Sequence, residues 1–393
     1  MWILVCGGFI ASTGASFVWP LTTIYVHYEL GKPLVMAGLV LMIQAGASLL
    51  GQLAGGRLFD RIGGKPIMLG GLLAAGTLLA IIGLNRLWAV YVGAIGLLGF
   101  SYGLLEPATN ALVAQAWPGG GRKGFNLLYV ARNAGVAIGT ALGGLVASYS
   151  FTAVFLCNAA TALAYMAIVA RFVPRAKGAS GTPPAVIVEA ELPAEDGRQS
   201  PPPARISGAG LALALAASGA ALNWLAYSQW QAVISVYMRG LGYSLAAYSL
   251  LWTINGLVIV VGQPLVSLAV RRWLKGLRVQ LVGGSLLYAA AFVVVWRWPI
   301  YGGFTLGMVI LTLGEMLVLP SLPAAAASLA NAEVLGLYQG LLGGAASIGR
   351  MFGPICGGRL YVLWSPPWVL AAAAAINAAA AGCYWLYGHK ARC

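Results

Sequence analysis

Four ionisable side chains stand deep inside long apolar stretches of this sequence: Glu106, Arg132, Glu315 and Arg350. A charged residue at the centre of a membrane span costs about 2.5 to 3.5 kcal/mol on insertion scales, so these groups should face protein or water rather than lipid. At a helical rise of about 1.5 Å per residue, Glu106 and Arg132 lie roughly 12 and 11 Å from the same end, and Glu315 and Arg350 about 18 and 21 Å. They read as two depth-matched couples, one per half of the chain. Both couples can be buried ion pairs that fix helix contacts, or they can carry protons. An apolar cavity favours the protonated form of a carboxyl and a neighbouring arginine the ionised form, so a conformation that parts a couple would load its glutamate. Glu106 also precedes Pro107, which removes a helical hydrogen bond.

Uncharged donors and rings gather at other positions. Asn223, Tyr227 and Gln231 share one face at four-residue spacing, flanked by Trp224 and Trp230, and Ser12, Ser16 and Trp19 do the same near the start. Gln44 and Asn255 are a further corresponding pair, 211 residues apart. Aromatic surface with uncharged donors suits a bulky amphipathic ligand; Trp and Tyr near span ends serve equally as interface anchors. The candidate substrate-binding set is Ser16, Trp19, Gln44, Asn223, Tyr227, Gln231 and Asn255. No metal site or disulfide framework is legible: the nine acids and two histidines (His27, His389) are scattered, and the five cysteines form no C-x-x-C pair. The cysteines read as small buried hydrophobes.

The elements that must position these residues follow from composition. The chain has 393 residues, 60% apolar and 8% charged, with a mean hydropathy of +0.85, whereas soluble domains carry about 25% charged residues. Twelve apolar runs fall at about 1–26, 34–56, 66–84, 87–114, 125–148, 151–173, 208–238, 244–270, 278–296, 299–327, 335–361 and 367–388, each near the roughly 20 residues a span needs. The first run lacks a basic leader and an A-x-A cleavage site, so it reads as helix 1 rather than a removable signal peptide. Residues 174–206 hold six prolines after Pro174 and four of the nine acids, the composition of a disordered linker. With the N-terminus in the cytoplasm, sixteen Lys and Arg between Arg57 and Arg392 collect on that side, against Lys32, Arg86, Arg239, Arg297 and Arg359 opposite. The positive-inside rule then accounts for the net charge of +14 without nucleic acid.

The halves are duplicates. Gly51-Gln52 recurs as Gly262-Gln263, and Gly135, Gly139, Gly143 and Gly144 recur 214 residues later as Gly349, Gly353, Gly357 and Gly358. Parallel six-helix repeats with a ligand at their interface are a transporter architecture.

The stretch Gly56-Arg57-Leu58-Phe59-Asp60-Arg61-Ile62-Gly63-Gly64-Lys65 resembles the G-x-L-x-D-R-x-G-R/K-R/K signature of the major facilitator superfamily, with Gly64 at a usually basic position. Gly349 to Gly358, with Pro354, fits G-x-x-x-G-P-x-x-G-G, which looks like the motif of drug:proton antiporters. There it belongs to helix 5; here it falls in helix 11, and helix 5 carries Thr140 at the proline position. Glycines at this spacing also serve plain helix packing. Thr312-Leu313-Gly314-Glu315 is similar to a multidrug:proton antiporter branch whose helix 10 glutamate handles protons and drugs. The acid that branch has early in helix 5 is absent from Asn126-Leu127-Leu128-Tyr129.

The resemblance implies a twelve-helix, all-α membrane protein of two pseudo-symmetric six-helix bundles, residues 1–173 and 207–393, joined by the linker. It implies a monomeric secondary transporter in the cell membrane with both termini cytoplasmic. No cofactor is implied; a proton gradient drives export of lipophilic or amphipathic small molecules. The alternative is a proton symporter importing a nutrient or peptide. It further implies a cytoplasmic latch of Gly56, Asp60, Arg61, Gly63 and Lys65, with Asp60 either capping the start of helix 11 or pairing with Arg61. A membrane enzyme lacks any catalytic constellation here, and a receptor lacks an extramembrane sensing domain.

Overall fold

A computed structural model describes residues 2–18, 22, 25–32, 34–117, 122–174 and 209–390. Trp19 and the expected linker beyond Pro174 lie outside these residues. Within them the apolar runs are helices, since a lipid-embedded backbone must satisfy its hydrogen bonds within itself. The first six are α1 (Trp2–Val18), α2 (Leu34–Ile62), α3 (Gly64–Leu84), α4 (Trp88–Ala116), α5 (Arg122–Tyr149) and α6 (Phe151–Phe172). The next, α7, is broken into Ala209–Tyr227, Gln229–Ala232 and Ile234–Gly240. Then follow α8 (Leu245–Arg272), α9 (Leu277–Arg297), α10 (Tyr301–Leu329), α11 (Leu335–Trp364) and α12 (Pro366–Lys390). Ten of the described helices are long and apolar enough to cross a membrane; α1 is short at 17 residues, and α11 is diluted by glycines and two arginines.

The two sets of six pack alike. α1 lies on α5 as α7 lies on α11, α2 on α4 as α8 on α10, and α3 on α6 as α9 on α12. α4 and α10 are each 29 residues long, with Pro107 and Pro320 at the same position. The glycine ladders explain the first of these pairings. Gly135, Gly139 and Gly143 bring α5 onto the α1 backbone at Phe9, Thr13 and Phe17, while Gly349, Gly353 and Gly357 bring α11 onto Ala221, Leu225, Ser228 and Gln229 of α7. The motif-like stretch of α11 is therefore a packing surface, bonded by Gln229 Nε2 donating to the Gly353 carbonyl at 2.8 Å. Two expected members drop out: Gly358 faces open space, and Pro354 is exposed. The surroundings of Gly144 lie outside what the structure describes. Gly353→Leu should lower the melting temperature in detergent by several degrees, because overpacking costs about 1 to 3 kcal/mol. Gly358→Leu on the same helix should leave it unchanged, and equal melting of the two variants would refute this division.

Two further expectations need correction. The apolar run ending near residue 56 does not mark the end of its helix: α2 continues to Ile62, and Gly63 alone makes the turn at φ 82°, a value side-chain-bearing residues rarely adopt. Cys6 and Cys356 are exposed rather than buried, which on an apolar, lipid-facing surface carries no penalty for a weakly polar thiol.

Contact between the halves concentrates at the end of the molecule that holds Asp60. There α2 meets α11, and α5 meets α8 and α10. A core of Phe59, Met68 and Ala111 from one half runs on into Ala324, Ala327 and Leu335 of the other.

Candidate functional site

Glu315 sits on α10, 6% exposed, in the layer where the two halves meet. Its Oε1 accepts from the Tyr129 hydroxyl at 3.1 Å, and its Oε2 accepts from Tyr227 at 3.2 Å and from Asn255 Nδ2 at 3.0 Å. Asn255 also donates to Thr312 Oγ1 at 2.8 Å, one helical step from Glu315. Among the described residues the ion pairs are Glu106–Arg132 and Glu29–Arg86, so every donor given for this carboxyl is neutral. Arg122 of α5 is engaged instead by the carbonyl of Met316, the residue after Glu315, and by Ser321 Oγ. A buried carboxyl is tolerated when it is fully hydrogen-bonded or protonated. Hydroxyl groups permit both, since each can donate to the ion and rotate to accept from the acid. Tyr129 is the residue that sequence reasoning missed. It comes from α5 in the opposite half, so this single bond ties the halves together through the carboxyl.

The second site is the Glu106–Arg132 couple. Arg132 Nη1 donates to Glu106 Oε1 at 2.8 Å, and Asn110, one turn along α4, adds a further hydrogen bond. Both side chains stand mid-helix yet remain 43% and 29% accessible, as residues lining a water-filled space between helices would. The other expected couple does not form. Arg350 on α11 donates to Ser347 Oγ at 2.9 Å and lies 4.6 Å above the Trp224 ring; its charge acts on Glu106, not on Glu315. Matching depth was not enough, because Glu315 is taken up by Tyr129, Tyr227 and Asn255 while Arg350 rests on Ser347 and Trp224. Glu106→Gln should reduce gradient-driven transport by about threefold to tenfold, about 0.6 to 1.4 kcal/mol, because the amide keeps a hydrogen bond from Arg132 and loses only its charge-assisted part. Unchanged proton release on adding substrate would show that Glu106 is structural.

The remaining candidates scatter. Tyr227 and Asn255 join Glu315, but Asn223 turns into the C-terminal bundle, donating to Ser285 at 3.0 Å. Gln231 is exposed, because α7 breaks at Ser228 and Val233 and the shared face ends there. Ser16 is buried and donates to the Ser12 carbonyl at 2.7 Å, and Gln44 is half-buried on α2. Asn223, Trp224, Tyr227, Tyr288, Val318, Leu319 and Leu322 line a cleft of about 10 Å³, room for about one water and far short of the roughly 300 Å³ at which ligand pockets begin.

At the closed end, Asp60 accepts from the backbone amides of Gly336 and Leu337 at 2.7 and 2.8 Å. These are first-turn amides of α11, unpaired within their own helix. Gly56 and Gly336 meet backbone to backbone, the approach that lets a short aspartate reach. Arg61 stays exposed, and Lys65 turns away to the Ala170 carbonyl of α6 at 2.7 Å, outside the latch. Deeper in, Gln52 donates to Ser347 of α11 at 2.6 Å. Its repeat mate Gln263 donates to Asn126 of α5, which donates to Ser267 at 3.1 Å. These corresponding positions of the repeat, Gln52 and Gln263, thus each bond across to the other half.

A family model described as Major Facilitator Superfamily matches residues 4–339 and 211–392. The chain is 45% identical over 359 residues to the uncharacterized MFS-type transporter YttB of Bacillus subtilis, covering 91% of this chain and 87% of that protein. The chain belongs to the major facilitator superfamily. It is therefore a multi-pass membrane transporter for small molecules and not an enzyme. Multidrug resistance protein MdtH of Shigella dysenteriae is 29% identical over 155 residues, 38% of this chain and 37% of its own length. The crystal structure of the human organic anion transporter MFSD10 (TETRAN) superposes with a TM-score of 0.72 at 18% identity, over 99% of this chain and 98% of that one. That likeness establishes the facilitator fold. Facilitators of this superfamily work without a cofactor, and no group of three His, Cys, Asp or Glu among the described residues could hold a metal ion.

Proposed function

We propose that the chain is a proton-coupled exporter of amphipathic small molecules, working by alternating access of two bundles, residues 1–173 and 207–393, in the cell membrane. The observation that carries this reading is Glu315: a buried carboxyl, held only by neutral donors, one of which reaches across from the opposite half. Proton uptake there changes what Tyr129 can bond and so changes the contact between the bundles. The excess of Lys and Arg on one side supports a cytoplasmic position for both termini and the Asp60 end, and with that orientation the closed Asp60 end corresponds to an outward-facing form. The 29% likeness to a multidrug resistance protein favours export. Energy is sufficient, since one charge crossing 100 mV is worth about 2.3 kcal/mol, or roughly 50-fold in concentration.

The test uses inside-out vesicles with an acidified lumen and a pH-sensitive dye. Adding lipophilic substrates should dissipate the gradient through wild-type protein and not through empty vesicles. Substrate-dependent deepening of the gradient would instead identify the nutrient symporter, and no change in either direction would remove proton coupling.

A further inference from the structure

The charges of the cluster formed by Glu106, Arg132 and Arg350 do not cancel. Arg132 is taken up by Glu106 at 2.8 Å. Arg350 is not: its described partners are Ser347 Oγ and the Trp224 ring, and the carboxylate its charge reaches, Glu106, is the one Arg132 already holds. Arg350 stands midway along the 30-residue α11, too far from either end for its head to reach the membrane surface. It is nonetheless exposed. Exposure to lipid at that depth is strongly disfavoured. Its neighbours are Trp224 of α7 on one side and Glu106 of α4, from the other half, on the other, so the surface it presents belongs to the space between the bundles.

We propose that Arg350 anchors the headgroup of an amphipathic organic anion, a carboxylate or sulfonate, whose apolar body lies along Trp224. A guanidinium offers five N–H groups in a rigid fork that matches two oxygens of such a headgroup. Ser347 accepts from Nη2, and the rest of the fork is open to a ligand. The indole face beneath Arg350 supplies flat apolar surface next to the charge, which orients a ligand with one polar end. Transport adds a physical demand. Alternating access closes the cavity over its contents, and closure strips water from Arg350; a desolvated cation needs a counter-charge, which an anionic ligand brings with it. An organic cation would enter against the excess positive charge of the cluster. This inference rests on the cavity between the bundles being the transport route, as in the proposed function, and not on proton coupling.

The experiment compares two radiolabelled probes with the same aromatic body, anilinonaphthalenesulfonate and phenylnaphthylamine, which lacks the sulfonate. Both are bound to the full-length protein in phosphatidylcholine nanodiscs, with empty nanodiscs subtracted. Wild type should hold the sulfonate about tenfold or more tightly than the amine, the worth of charge-assisted hydrogen bonds. Arg350→Gln should abolish that preference and leave amine binding as it was, which also shows that the variant is folded. Arg350→Lys, keeping the charge without the fork, should recover part of it. Equal affinities in wild type, equal loss of both probes in Arg350→Gln, or a preference that survives Arg350→Gln would each overturn the proposal. Anionic phosphatidylglycerol added to the nanodiscs should leave sulfonate affinity unchanged; competition by it would assign the site to lipid headgroups instead. A sulfonate preference that depends on Arg350, together with transport indifferent to a proton gradient, would sink proton coupling and leave the anion site standing.

Discussion

Replacing Glu315 with glutamine is expected to abolish proton-driven transport while sparing ligand binding. The amide keeps the size of the side chain and can still accept from Tyr129 or from Tyr227 and Asn255, so the local structure survives. One contact must change, because the new NH2 group confronts a donor. A tyrosine hydroxyl can rotate to accept from it, which limits the loss to about the 0.5 to 1.5 kcal/mol of a single neutral hydrogen bond. What is lost entirely is the titratable oxygen. Gradient-driven uptake into inside-out vesicles should fall at least about tenfold, a barrier change of about 1.4 kcal/mol or more, while equilibrium binding of the same ligand changes by only severalfold. Uptake at the wild-type rate would remove Glu315 from the coupling path. Tyr129→Phe supplies the companion measurement, since it severs the bond between the halves without touching the carboxyl. If Glu315 acts through that bond, this variant should still bind ligand and protons but transmit one to the other poorly.

The second large effect belongs to Asp60. Its two oxygens accept from adjacent amides at the positive end of α11, contacts available only when α2 and α11 are closed on each other. An interaction of a carboxylate with a helix N-terminus is worth about 0.3 to 2 kcal/mol, and removing it shifts a nearly balanced two-state equilibrium by about twofold to thirtyfold. Asp60→Asn keeps one neutral acceptor and loses the charge, so the population should move toward the form open at this end, with slower turnover and retained ligand affinity. Electron-spin distance measurements between labels on the Asp60 end of α2 and the start of α11 read this directly. Distances identical to wild type in both detergent and lipid would show that Asp60 does not bias the switch.

Sequence alone was enough for the helices and their duplication, and the reason is local: a span announces itself by about 20 apolar residues in a row, and the glycine ladders repeat at a fixed separation whatever surrounds them. The signature around Asp60 was legible for the same reason, as was the partnership of Glu106 with Arg132, which sit at one depth on adjacent helices. What depends on rotation about a helix axis was not legible. Depth along α10 and α11 matched for Glu315 and Arg350, yet the side chains take different partners, and Arg350 came to rest on Trp224. The four-residue spacing of Asn223, Tyr227 and Gln231 implied one face, but α7 is broken at Ser228 and Val233, so Asn223 and Tyr227 line one space while Gln231, beyond the first break, is exposed. Tyr129 had no signal, because a tyrosine near a span end reads as an interface anchor until the opposite half is placed beside it. The sequence by itself determined which segments span the membrane and which charges must be sheltered. Only the tertiary structure decided which of those charges meet, because the partner of a buried carboxyl is chosen by how two separately folded bundles dock.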